Sequence, residues 1–221
     1  MRKVIGAVFI SLDGVMQAPG GPTEDPTGGF ELGGWLWKYF DEAVGQQVDA
    51  LFAVPFDLLL GRRTYDIFAA YWPYVEGESK ALGEQFDRAA KYVVTRGQQR
   101  LEWKNSHRLA NLDALAEVKR GDGPNLVIQG SGTLYPQLLA AGLIDRLVLM
   151  TFPVVLGSGK RLFGKGTPPG AMRMIEHRVT AGGNVIAVYE PAGAVEPGSF
   201  VSGPPSPAEL ERRKKIAAGA W

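Results

Sequence analysis

Two short apolar runs end on glycine and pass straight into helical spacing. They are Leu58-Leu59-Leu60-Gly61-Arg62-Arg63-Thr64-Tyr65 and Leu126-Val127-Ile128-Gln129-Gly130-Ser131-Gly132-Thr133-Leu134-Tyr135. Runs bounded in this way are buried strands that hand the chain to a helix N-terminus. Such a junction gathers free backbone N–H groups and the positive end of the helix dipole at one spot, which suits phosphate. Two junctions suggest a ligand with more than one phosphate, and the paired arginines suggest that the phosphates bind as dianions. The alternative for each is a tight strand-to-helix turn, with solvated arginines at the first.

The rest of the chain sets the architecture. Lys3 to Leu12, Asp57 to Leu60, Lys91 to Thr95, Ser106 to Leu109, Asn125 to Gln129 and Asp145 to Val155 read as strands. Trp35 to Val54, Arg63 to Tyr71, Leu112 to Arg120 and about Thr133 to Ala141 read as helices, with a helical turn at Phe86 to Ala90. Asn111 or Asp113 caps the third helix, and Gly142 ends the fourth. Arg173 to Val179 and Val185 to Tyr189 bracket a hairpin at Ala181-Gly182-Gly183-Asn184. Strand and helix alternate first, and strands alone follow. That order predicts an α/β fold: a mostly parallel twisted sheet with helices on both faces and an antiparallel C-terminal hairpin. Asp13 to Gly34 reads as a long glycine- and proline-rich loop, and a loop of that length inside a domain is commonly functional.

Composition excludes several classes of function. The 221 residues carry a formal net charge of +1, with basic residues scattered, so nothing marks a nucleic-acid binder. There is no cysteine. Disulfides, thiolate nucleophiles and cysteine-held metals are therefore out, and a reducing, cytoplasmic setting is expected. His107 and His177 stand alone and read as surface or packing residues, so no metal site is expected. No apolar run is long enough to span a bilayer, and the first strand lacks the cleavage signal of a leader peptide. Residues 1–190 read as one domain. Residues 191–221 read as a Pro/Gly-rich linker and a short helix, either docked on the body or a partner subunit, or frayed.

Three strand ends carry candidate chemistry. Gly61 lets the backbone approach a ligand closely, Thr64 offers a hydroxyl and an amide, and Arg62 or Arg63 can hold a phosphate bidentately. Gly130, Ser131, Gly132 and Thr133 let a diphosphate lie against the backbone. Thr95 and Arg96 suit a 2′-phosphate on an adenosine ribose. In open α/β sheets, ligands gather at the carboxyl ends of strands.

Taken in order with Ser11-Leu12-Asp13-Gly14 and Pro153-Val154-Val155-Leu156-Gly157-Ser158-Gly159-Lys160-Arg161-Leu162-Phe163, these segments resemble the dihydrofolate reductase superfamily. Within it they resemble the reductase domain of the bifunctional riboflavin-biosynthesis deaminase-reductase, over about residues 2–190. The resemblance implies a three-layer dihydrofolate reductase-like fold and NADPH as cofactor. It places Gly61, Arg62, Arg63 and Thr64 on the phosphates, and Thr95 and Arg96 on the adenosine side. Gly130, Ser131, Gly132, Thr133 and Leu134 become the second phosphate loop. Asp13 becomes the catalytic residue beside the nicotinamide and substrate, with Trp35, Tyr135, Leu156 and Gly157 at the substrate side and a wall running from Leu156 to Lys160.

The implied activity is hydride transfer from NADPH to a small heterocyclic or carbonyl substrate, of pterin or ribosylaminopyrimidine type. Asp13, or a water it orders, supplies the proton. The other reading is a nucleotide-binding module of the same fold without turnover. Dihydrofolate reductases hold the pterin with a carboxylate of the first helix. Here that helix offers Asp41, Glu42 and Asp49, none at a matching position, and Asp41 or Glu42 reads as part of a solvated face. The zinc-bearing deaminase half is absent. Trp35 has two readings, core or a lid stacked on a flat ring. Asp145 to Val155 is apolar at nearly every position, which fits a homodimer interface or a central strand covered on both faces.

Overall fold

The computed structural model describes residues 1–220. Eight strands form one sheet: β1 (Val4–Ser11), β2 (Phe56–Gly61), β3 (Lys91–Val94), β4 (Ser106–Leu109), β5 (Asn125–Ile128), β6 (Arg146–Phe152), β7 (Met172–Val179) and β8 (Val185–Pro191), in the spatial order β4-β3-β2-β5-β1-β6-β8-β7. The first six in that order run parallel, and β8 and β7 close the sheet antiparallel. The fold class read from the order of elements is the one observed.

Alternation along the central strands feeds two cores. In β1, Val4, Val8 and Ile10 join one face, and Ala7 joins the other. In β2, Leu59 faces opposite to Leu58 and Leu60; in β5, Val127 faces opposite to Leu126 and Ile128. A period of two puts successive side chains on opposite faces. Helices α1 (Glu42–Phe52), α2 (Arg62–Tyr71) and α3 (Lys80–Arg88) supply Val44, Phe52, Tyr65 and Phe86 to one core; α4 (Leu112–Arg120) and α5 (Tyr135–Ala140) supply Leu115, Tyr135 and Leu138 to the other.

Strand β6 decides between the two readings of the Asp145 to Val155 run. Leu147 and Leu149 lie in one core, and Val148, Met150 and Phe152 in the other. The run is apolar because both faces are covered within one chain, so it gives no argument for a twin subunit.

Two helices differ from expectation. The first begins at Glu42 rather than Trp35, because the Asp41 carboxylate caps it by accepting from the Val44 amide at 3.0 Å. Asp41 is not on a solvated face: its carboxylate also accepts from Thr180 and Asn184, which ties α1 to the β7–β8 hairpin. Helix α3 starts well before Phe86 and contains Gly83, where a Cβ would lie 2.5 Å from Val75 Cγ1 and 2.8 Å from the Trp72 carbonyl. Glycine there permits the close approach of the 72–75 turn.

After β8, residues 192–206 form no helix or strand. Helix α6 (Pro207–Ala217) follows, capped by Ser206, with no buried residue.

Candidate functional site

Strands β3, β2, β5, β1 and β6 are neighbours and parallel, so they leave the sheet at the same edge. Along that edge lie Thr95 and Arg96, then Gly61 to Thr64, then Gly130 to Thr133, then Asp13, then Leu156 and Gly157. Segments scattered through the sequence are thus brought together in one row.

The two glycine loops are laced to each other. The Gly61 amide donates to the Ser131 hydroxyl at 2.9 Å, and the Ser131 amide donates to the Thr64 hydroxyl at 2.8 Å. Ser131 holds a φ of 55°, uncommon for a residue with a side chain, directly after Gly130 at 60°. Strain of this kind persists only where the surrounding bonds over-determine it, and no sequence pattern announces it. Thr64, while accepting, keeps its own hydroxyl proton for a ligand oxygen. Helix α2 starts at Arg62, and Gly61 before it provides no side-chain cap. Its first amides therefore remain donors for an anion.

The arginines divide. Arg62 is held by Asp66, with both carboxylate oxygens 2.9 Å from its Nε, and donates to the Gln99 carbonyl at 3.1 Å. Its Nε and Nη1 are thus taken up by partners at the surface of the same chain, which sets it apart from Arg63 as a phosphate contact. Arg63 and Arg96 are exposed. Arg63 faces Asp25 at 4.0 Å. Thr95 turns its hydroxyl to the Gly97 amide at 3.1 Å. Thr133 is exposed, and Leu134 is buried beneath the loop.

Asp13 corrects the expectation of a proton donor. Its carboxylate accepts from Ser11 Oγ at 2.6 Å, Leu156 N at 3.0 Å, Gly157 N at 2.9 Å and Arg161 at 3.2 Å. These donors, Ser11 first, hold its carboxyl well below the usual carboxylate range. A carboxylate saturated in this way stays ionised. What it does is bind the turn after β1 to the segment after β6. By the same bonds, Leu156 and Gly157 spend their amides on Asp13. The Leu156 side chain joins the core, so Gly157 alone of the two is exposed toward the site.

Two further assignments change. Tyr135 is wholly buried on the α5 face, its hydroxyl donates to the Ile128 carbonyl at 3.1 Å, and its ring lies where a Cβ on Gly6 would be. It has no surface to offer a substrate. Of the two readings of Trp35, core is the one observed: its indole donates to the Gln17 carbonyl at 2.9 Å, and its ring packs edge-on against Phe152.

The residue 14–34 loop contributes more than the sequence disclosed. Gln17 is buried; its amide nitrogen donates to the carbonyls of Asp25 and Thr27, each at 2.8 Å, and its oxygen accepts from Lys160 N at 3.0 Å. Lys160 is ion-paired with Asp25 and donates to Thr27 Oγ1 at 2.7 Å. A cavity of about 250 Å³ lies between these segments, lined by Gln17, Thr27, Gly28, Phe30, Ser158, Gly159 and Lys160. Lys160 falls in the wall read from the sequence. Gln17 and Asp25 do not, and only their place in a Gly/Pro-rich loop after β1 hinted at a role.

The profile of the RibD C-terminal domain family matches residues 2–188. The chain is 27% identical over 198 residues to protein YyaP of Bacillus subtilis, covering 85% of this chain and 94% of that protein. A crystal structure of a pyrimidine reductase-like protein from Corynebacterium diphtheriae superposes with a TM-score of 0.54 at 13% identity, covering 86% of this chain and 92% of the other. Dihydrofolate reductase from Enterococcus faecalis, solved with NADP(H), superposes with a TM-score of 0.53 at 13% identity, covering 86% and 96%. At such identities, the structural likeness shows the fold.

Proposed function

The chain belongs to the RibD C-terminal domain family, and on that premise we propose that it is an NADPH-dependent reductase. It transfers a hydride to an electron-poor carbon of a C=N or C=O group in a small heterocyclic or carbonyl substrate, of pterin or ribosylaminopyrimidine type. A cytoplasmic setting belongs to the same proposal. The observation that carries it is the pair of strand-end loops laced through Gly61, Ser131 and Thr64 beside the uncapped start of α2. Exposed Arg63 and Arg96 flank that start along the sheet edge. The donor set fits a diphosphate with a further phosphate on the β3 side.

When bound, NADPH supplies the hydride. The chain's residues do the rest. The amides at the start of α2, with Arg63 and the Thr64 hydroxyl, bind and orient the phosphates. Thr95 and Arg96 hold the adenosine side. Asp13 fixes the 156–161 wall through the Leu156 and Gly157 amides, and Gln17 fixes the loop against Lys160. Together they exclude water around the reacting atoms. Asp13 positions, and the proton comes from another group or from solvent.

A second reading, a nucleotide-binding module without turnover, is favoured by one observation: the carboxylate at the expected catalytic position is saturated by four donors. Titration with NADPH and NADH tests the cofactor, and absence of NADPH binding ends both readings. Single-turnover oxidation of NADPH with dihydrofolate, other pterins and ribosylaminopyrimidine phosphates separates them. A hydride-bearing product removes the pure binder. Bound NADPH that no substrate oxidises removes the reductase.

A further inference from the structure

An anion seat with a carboxylate fixed beside it calls for an explanation. Asp25 Oδ2 faces two cations at once: Lys160, which lines the cavity, and Arg63 Nη1 at 4.0 Å, at the start of α2. Its other oxygen, Oδ1, accepts from Thr27, through the hydroxyl and through the amide at 3.3 Å. The side chain is 11% exposed. It cannot retreat, because Gln17 holds the Asp25 and Thr27 carbonyls at 2.8 Å each and is itself buried. Arg63, by contrast, is more than half exposed, and at 4.0 Å its contact with Asp25 is a loose one. One oxygen is thus divided between a wall of the cavity and the first turn of the phosphate-facing helix.

We infer that Asp25 is a positioning residue that couples the phosphate seat at Arg63 to the cavity wall at Lys160, and that it does so at the expense of dinucleotide affinity. The inference rests on the dinucleotide reading above. With the seat empty, Asp25 shares its charge between the two cations. A phosphate that takes the Arg63 guanidinium leaves Asp25 wholly to Lys160, which firms the loop against the 158–160 segment. The same phosphate is repelled by the fixed carboxylate, so the resting contact acts as a brake. Coupling of this kind is reciprocal: what firms the Asp25–Lys160 pair also favours the phosphate.

NADPH fluorescence titration of the full-length protein tests this, using wild type, Asp25→Asn, Arg63→Gln and the double variant. A loose ion pair with one partner more than half exposed is worth a fraction of a kcal/mol to about one, so Asp25→Asn is expected to tighten NADPH about two- to fivefold. The gain disappears in the Arg63→Gln background and shrinks at high salt. Loss of a merely structural residue would weaken binding instead. Lys160→Met gives the converse should Asp25→Asn not fold: it returns Asp25 to Arg63, and NADPH weakens by a similar factor unless Arg63 is also replaced. Weaker NADPH binding in Asp25→Asn, or a gain that persists without Arg63, overturns the inference alone. A wild-type protein that binds no NADPH overturns the dinucleotide reading and this inference with it.

Discussion

Ser131 holds Thr64 at 2.8 Å through its backbone amide while its own hydroxyl holds the amide of Gly61 at 2.9 Å, across 67 and 70 residues of sequence. One residue with a strained backbone therefore fixes the spacing between two strand-end loops through its amide and its hydroxyl. Ser131→Ala removes one bond of the clamp and leaves the Gly61 amide without its acceptor. We expect a stability loss of about 1–3 kcal/mol, because a buried donor is left unsatisfied. NADPH binding should weaken together with it. Urea denaturation and NADPH titration on the same preparation check both.

Gly130 tests the same junction from the other side. Its φ is 60°, and a Cβ would lie 3.0 Å from Thr64 Cγ2 and 3.2 Å from Thr64 Oγ1. Gly130→Ala combines the left-handed penalty of about 1–2 kcal/mol with a push against Thr64. Chemical denaturation should show at least that loss. Gly28→Ala, also at positive φ but with open space around its Cβ, should cost only the backbone part.

Asp13 gives a pH dependence with a definite sign. Its folded-state pKa is depressed by Ser11 and the Leu156 and Gly157 amides. The stability it contributes is therefore complete above the unfolded value of about 4 and is lost as pH falls below it. Asp13→Asn should lower stability at neutral pH and flatten the acid limb of a stability profile. A rate profile of the wild type should show no fall with rising pH assignable to deprotonation of Asp13. A rate that falls as pH rises through about 4–6, in a step that vanishes in Asp13→Asn, would restore it as a proton donor.

What the sequence disclosed and what it hid follow one physical rule. The continuous apolar runs Val4 to Ile10, Leu58 to Leu60 and Leu126 to Ile128 are local signals, and with the strand–helix order they indicated the sheet and its shared carboxyl edge. The strand ends at Arg96, Gly61 and Gly130 followed from parallel order, and Asp13, Leu156 and Gly157 from the resemblance. Pairings across long stretches of chain have no local signature. The amides that saturate Asp13 lie 143 and 144 residues away, so a carboxylate that looked free for catalysis proved to be an anchor. Arg62 and Arg63 are adjacent and alike in sequence, yet only Asp66, one helical turn on, decides which of them is spent. Tyr135, which the resemblance put at the substrate side, and Trp35, left between core and lid, are decided by distant partners: Gly6 and Phe152, which receive those rings, sit on strands far off in sequence.

Lys91 is fully buried, with its ammonium donating to the carbonyls of Phe86 at 2.7 Å and of Asp87 and Ala89 at 3.0 Å, where α3 ends. Burial pulls its pKa down from 10.5 to about 8. Between those values the unfolded chain binds more protons, so this group makes stability rise with pH across that window. Lys91→Met should flatten the rise. It should also cost about 2 kcal/mol or more at neutral pH, because buried carbonyls lose their donor. Denaturation curves of both proteins across the window check the sign and the size.

The division among the arginines yields the sharpest test of the binding site. Arg62 is committed to Asp66 and the Gln99 carbonyl, whereas Arg63 and Arg96 are exposed at the same edge. A charge-assisted hydrogen bond to phosphate is worth about 1.5–3 kcal/mol, so Arg63→Ala and Arg96→Ala should each weaken NADPH by roughly ten- to a hundredfold. Arg62→Ala should weaken it far less, and chiefly through the loss of the Asp66 pair from the first turn of α2. Arg96→Ala carries a further expectation. If Arg96 reads the 2′-phosphate, its loss narrows the preference for NADPH over NADH, while loss of Arg63 weakens both dinucleotides alike. Titration of the three variants with both cofactors gives the pattern. Equal losses for Arg62→Ala and Arg63→Ala would mean that Asp66 releases Arg62 on binding, and would return Arg62 to the phosphate site.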